Sequence, residues 1–166
     1  IGSDLKSAID AFDGVLISGP RTGSKTVDMF IPPELPPLVP GVKGTVASVE
    51  SLRPNAYISI KDSGYFKDWM ETLVDCEDIV EVCEDGRPAI IGHENNLYIA
   101  GWADQDTLKK LFSSVCNSQD IITTDLNDCV RTRETLKHRF WFNYSDQESK
   151  VGLINIPPSG VFWEPL

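Results

Sequence analysis

Two histidines, four cysteines, a shortage of cations and no long apolar run narrow what this 166-residue chain can do before any motif is considered. A Ser-His-Asp or Cys-His catalyst would have to use His93 or His138. His93 falls in a predicted turn beside Glu94, and His138 lies between Lys137 and Arg139, so both read as solvated side chains with no nucleophile in reach. Cys76, Cys83, Cys116 and Cys129 show no C-x-x-C spacing and sit in no G-x-C-x-G or G-x-S-x-G elbow, which predicts free structural thiols and neither zinc nor an acyl-transfer nucleophile. Free thiols lean the expected compartment toward the cytoplasm. The apolar stretches fall far below the ~20 residues of a spanning helix. Fifteen Lys plus Arg against 25 Asp plus Glu give a net charge of −10, and no basic cluster exceeds Arg131-Thr132-Arg133. Nucleic acid and anionic membranes are therefore not expected partners. The chain starts at Ile1 without the charged and apolar regions of an uncleaved signal peptide, and reads as a processed product or an excised piece.

Several elements are legible. Leu5, Ala8, Ile9 and Phe12 follow helical spacing after the cap candidates Ser3 and Asp4. Val15-Leu16-Ile17, bounded by Gly14 and Gly19, suits a buried strand of a parallel sheet. Residues 19–41 carry Pro20, Pro32, Pro33, Pro36, Pro37 and Pro40 and cannot continue either element, so a long, semi-rigid loop is expected there. A loop of that length in a compact domain is usually functional. Residues 44–60 read as strand-rich with a break at Pro54, and Phe66, Trp69, Met70 and Leu73 fit a helical stripe. The acids from Asp75 to Asp85 read as a solvated face. Ala89-Ile90-Ile91 and the run from Leu97 to Trp102 predict a hairpin, and Asp104 can cap a helix over about 105–114. Beyond Ser118, short β-rich runs separated by Asp, Asn, Ser, Gly and Pro predict a small antiparallel unit, with the boundary near Cys116 to Asp120.

Three constellations invite a chemical reading. Gly19-Pro-Arg-Thr-Gly-Ser-Lys-Thr26 follows a predicted strand and ends like a phosphate-binding loop. The residue before Lys25 is Ser24 rather than glycine, however, and the chain runs on into Phe30-Ile31-Pro32-Pro33 rather than a helix whose amides could hold phosphate. Trp102, Trp141 and Trp163 could stack on sugars, but their apolar neighbours favour core or interface packing. Among the many acids, Glu50 between Val49 and Ser51 is the one to examine for burial, and Asn143-Tyr144-Ser145 matches a glycosylation sequon.

These stretches taken together resemble the non-catalytic part of family 42 glycoside hydrolases, the β-galactosidases. The resemblance rests on Gly14 to Thr26 with its proline-rich continuation, Gly44 to Pro54, Gly86 to Ile91, Leu97 to Trp102 and Phe140 to Asp146. It implies an α/β domain similar to class I glutamine amidotransferases and to the flavodoxin-like folds, truncated at its N-terminus, over residues 1–116, followed by a small antiparallel β domain over 117–166. It also implies a trimer-forming role beside a catalytic barrel of the same parent chain. A barrel needs about 250 residues, so neither it nor its catalytic pair is expected here. No catalytic, cofactor-binding or metal-binding residue is assigned. The interface candidates are Arg21, Lys25 and Phe30 in the loop, and Glu50 and Arg53 beyond it. The alternative is a free-standing carbohydrate- or protein-binding module.

Overall fold

A computed structural model describes residues 2–93 and 95–166, with His93 by its backbone alone. The expectations placed on the His93 side chain and on Glu94 lie outside the described residues. The chain divides into two compact units, Ile1–Asp120 and Ile121–Leu166.

The first unit opens with α1 (Ser3–Asp10) and β1 (Leu16–Ser18). After the long loop come β2 (Thr45–Ser51), β3 (Tyr57–Ser59), β4 (Tyr65–Val74), β5 (Ile79–Val82), β6 (Pro88–His93), β7 (Asn96–Ile99) and β8 (Gly101–Ala103). Helix α2 (Gln105–Ser118) closes the unit. One sheet has the order β1-β7-β6-β5; the other is β2-β4-β3, with β8 added to β4. The parallel pairing expected for the first strand is made by β1 on β7, Leu16 opposite Asn96 and Ser18 opposite Tyr98. The other pairings among the described strands are antiparallel.

The two sheets enclose a core that includes Phe66, Met70 and Leu73 of β4, Ala89 and Ile91 of β6, and Tyr98 and Ile99 of β7. The predicted helix over Phe66 to Leu73 is thus a strand. β4 is the central strand of its sheet, and Met70 and Glu71, which point to opposite faces, are both buried. A strand covered on both sides loses its alternation. An irregularity between Lys67 and Met70 against β8 then leaves Phe66, Met70 and Leu73 at spacings that imitate a helix. The acidic stretch likewise contains β5, an edge strand whose Ile79 and Val80 stay exposed.

The second unit holds β9 (Val130–Glu134), β10 (His138–Asn143), β11 (Ser149–Val151), β12 (Ile154–Ile156) and β13 (Val161–Pro165). They form a three-stranded sheet β13-β10-β9 and a hairpin β11-β12. Val130, Trp141 and Ile156 make its small core. Asn143 is buried and its side chain is fully engaged: Nδ2 donates to the carbonyls of Gln147, Ile156 and Pro157, and Oδ1 accepts from Ser145 and Ser149. The sequon asparagine therefore pins the unit from inside. All four cysteines are free thiols.

Candidate functional site, a tethered loop

The loop after β1 is built from its base upward. Ser18 Oγ donates to the Leu97 carbonyl at 3.0 Å, fixing the end of β1 on β7. The chain then folds back: the Thr22 hydroxyl and amide both donate to the Gly19 carbonyl, and the Ser24 amide donates to that of Arg21. Gly23 sits in the left-handed region at φ +75°, where an added Cβ would lie 2.9 Å from the Leu38 nitrogen, so both the turn and the close approach require glycine. Arg21 adopts φ 70°, a conformation uncommon for a residue with a Cβ.

What holds Arg21 there is Glu71. This β4 carboxylate is 2% exposed; Oε1 accepts the Arg21 amide at 2.8 Å, and Oε2 accepts the Tyr98 hydroxyl in a very short hydrogen bond. Burial first, and then the bond to Glu71 and its charge, push the Tyr98 phenol far above its ordinary range, so it is a permanent donor. Above this pair the Arg21 guanidinium lies 5.7 Å from the centre of the Trp69 ring. One buried acid thus ties the loop to both sheets, through its own strand β4 and through Tyr98 on β7.

Beyond the tether, a closed turn runs from Thr26 to Phe30. The Thr26 amide donates to the Phe30 carbonyl at 2.8 Å, the Phe30 amide donates to Thr26 Oγ1 at 3.1 Å, and the Met29 amide donates to the Thr26 carbonyl. It projects Val27, Met29, Phe30 and Ile31, each more than 70% exposed. The chain then returns to the core at Val39 and Val42, and Pro36 accepts the Val46 amide of β2. The phosphate-loop reading fails here on geometry as well as sequence. The amides of Arg21, Thr22, Ser24 and Thr26 are all engaged by the protein itself, and no helix follows.

The loop gathers three of the expected interface residues: Arg21 at the tether, Lys25 on the ascending limb and Phe30 at the tip, all exposed. Glu50 lies elsewhere, half-buried on β2, where it accepts Arg87 Nη1 at 2.7 Å. Arg87 also forks onto Asp85, and its hydrogen bonds hold that carboxyl below the usual range. Glu50 is therefore paired rather than poised for acid-base work. Arg53 is exposed at the turn after β2, its carbonyl accepting the Ala56 amide. Sequence reasoning missed Glu71 and Tyr98. Glu71 was open to the argument applied to Glu50, since it stands alone among Trp69, Met70, Leu73 and Val74. An open groove of about 700 Å³ runs along α2, lined by residues including Ser63, Lys110 and Asn117. Among the described residues, no three His, Cys, Asp or Glu side chains group to hold a metal ion.

No family model matches this sequence. It is 28% identical over 153 residues to a β-galactosidase of Thermus thermophilus, covering 86% of this chain and 23% of that one. A second β-galactosidase, BgaA of a Thermus species, is 28% identical over 155 residues, again with 23% of its length covered. The chain thus spans about a quarter of the relatives it matches. Among solved structures, the β-galactosidase of the psychrophilic Marinomonas ef1 superposes with a TM-score of 0.87 at 26% identity, over 98% of this chain and 27% of that one. Gan42B, a GH42 β-galactosidase from G. stearothermophilus, shares the fold at a TM-score of 0.79 and 14% identity, over 30% of its length.

Proposed function

We propose that this chain, homologous over nearly its whole length to about a quarter of a GH42 β-galactosidase, is the accessory and assembly segment of such an enzyme and is catalytically silent by itself. The observation that carries the reading is the asymmetry of coverage: 98% of this chain superposes on 27% of the Marinomonas enzyme. The parent would hydrolyse terminal β-galactosides with a barrel that this chain does not contain. Residues 1–116 would be a partial α/β domain of the class I glutamine amidotransferase type, serving trimer assembly, and 117–166 a small β domain. The cytoplasm is the proposed compartment, on the free thiols. Assembly would use the tethered loop, whose apolar tip is preorganised by its turn and by Glu71, so little conformational entropy is lost on docking.

The test is the mass of the native polypeptide, by immunoblot with an antibody against this chain. The expected band exceeds 18.4 kDa by at least ~27 kDa, the mass of a barrel of about 250 residues, and the larger protein hydrolyses a chromogenic β-galactoside. A native band at 18.4 kDa overturns the reading. The second reading, a sugar- or protein-binding module, draws support from Trp102 and Trp163, which are 54% and 57% exposed and so lie outside the core. Quenching of tryptophan fluorescence by galactosides would favour it.

A further inference from the structure

The second unit's own core uses only one face of its three-stranded sheet. On β10, Trp141 and Asn143 point into the core, while Phe140 and Phe142 point the other way. Register extends that outer face across the sheet, with Trp163 and Val161 of β13 opposite Phe140 and Phe142 on one side, and Arg133 and Arg131 of β9 on the other. The rings form a continuous row. His138 packs edge-on against Trp163 at 5.1 Å and lies 6.1 Å from Phe140; Phe140, Phe142 and Tyr144 follow at 6.3 and 6.5 Å. Trp163, Val161 and Tyr144 are at least half exposed. The sheet's carboxylates in register, Glu134 and Glu164, flank Arg139 on the opposite face, so the in-register strand positions of the aromatic face include Arg131 and Arg133 and no acid.

Ile121–Leu166 is well below the ~70–80 residues at which one core suffices without a staple. Its cysteine, Cys129, is free, and no metal cluster is present among the described residues. Its buried apolar residues are Val130, Trp141 and Ile156 alone. So small a core gains most from a neighbour that covers the second sheet face at all times, which a dissociable ligand does not do. The relatives carry about three-quarters of their length outside the matched region.

We infer that the face of Phe140, Phe142 and Trp163 is an interdomain interface, seated on an apolar, carboxylate-fringed surface of the remainder of the same longer polypeptide. This rests on the proposal that the chain is a segment of a larger enzyme. The occupant is apolar because the rings are, and its rim is acidic because Arg131 and Arg133 border them.

Hydroxyl-radical footprinting of the native, longer polypeptide tests this, with oxidation at each residue read by mass spectrometry. Leu136 and Leu153, fully exposed in the same unit, are internal references. The expected result is that Trp163, Phe142 and Tyr144 oxidise severalfold more slowly than their exposure in this chain dictates, while both leucines react freely. Arg133→Glu, on the exposed rim, should raise oxidation of Trp163 severalfold. Oxidation of Trp163 at the rate its exposure dictates, in a polypeptide shown to be longer, overturns the inference and leaves the segment reading standing. Protection that vanishes on dilution also overturns it, since the cover is then a second copy. A native chain of 18.4 kDa sinks the segment reading itself.

Discussion

Glu71 is a carboxylate with 2% exposure whose oxygens accept a backbone amide from the loop and a phenol from the opposite sheet. Removing it strands both donors, each at a cost of about 1–3 kcal/mol. Glu71→Ala should therefore destabilise the first unit by roughly 2–6 kcal/mol and open the loop to trypsin at Arg21 and Lys25. Glu71→Gln keeps an acceptor and should lose much less. Equal trypsin cutting in wild type and Glu71→Ala would show that the tether does not hold the loop. At the same scale, Cys83 is buried, and burial and the nearby Asp85 push its thiol up to about 11. It should stay unmodified by iodoacetamide at pH 8 in the native protein, because its thiolate is scarce and enclosed. Labelling at Cys83 as fast as in denaturant would contradict the packing described. The residue scale is also where sequence reading lost most. Glu71 is one of 25 acids, and its burial depends on β7 and the loop, which lie far from it in sequence. The loop that carries Arg21, Lys25 and Phe30 was legible because Pro32, Pro33, Pro36 and Pro37 exclude regular structure there.

Among elements, α2 shows how a local signal becomes a tertiary one. Asp104 was legible as an N-cap, and it accepts the Thr107 amide at 3.3 Å. Less legible was that the same oxygen accepts the Tyr65 amide at 3.1 Å, while Thr107 Oγ1 accepts the Gly64 amide at 3.0 Å. The cap thereby clasps the helix to the start of β4. Gly64 leaves room for this, since an added Cβ would fall 2.2 Å from Asp104 Oδ1. Burial opposes ionisation of Asp104, but bonds from the Thr107 hydroxyl and from backbone amides outweigh it and hold the carboxyl below its ordinary value. A depressed folded value means that its stabilisation is complete above the unfolded carboxylate pKa of about 3.9 and is lost as pH falls through the folded one. Helical circular dichroism should accordingly show an acid transition that Asp104→Ala moves to higher pH, with a loss of about 1–2 kcal/mol at neutral pH. An unmoved transition would mean that the clasp is not what acid breaks. β4 makes the opposite point. Its spacing says helix, and only the strands paired on either side of it and the sheet packed against it make Phe66, Met70 and Leu73 a strand's buried residues. The antiparallel character of the second unit was readable from short runs punctuated by turn residues, but Ile121-Ile122 lies in no strand, and Val151 to Ile154, which reads as one run, spans the turn of the β11-β12 hairpin.

For the whole molecule, assembly turns on whether the tip of the loop is an interface or merely an exposed turn. Val27, Met29, Phe30 and Ile31 together present more apolar side chain than a turn needs for its own closure, which backbone bonds and Thr26 Oγ1 already supply. Burying one such side chain as large as Phe30 against a neighbour is worth about 1.5–3 kcal/mol. Since about 1.4 kcal/mol corresponds to a tenfold change in affinity, Phe30→Ser in the longer native enzyme should weaken self-association by roughly 10- to 100-fold at each contact it makes. Sedimentation over a range of concentrations reads this directly. Two variants separate the tip from its support. Glu71→Ala should weaken association while also exposing the loop to trypsin, whereas Phe30→Ser should weaken association and leave the tether intact, because the turn uses only the Phe30 backbone. Leu153→Ser, at a fully exposed residue of the second unit, is the matched control and should change neither. If Phe30→Ser associates like wild type, the loop is not the assembly surface. Glu50 and Arg53, outside that loop, then become the residues to change next.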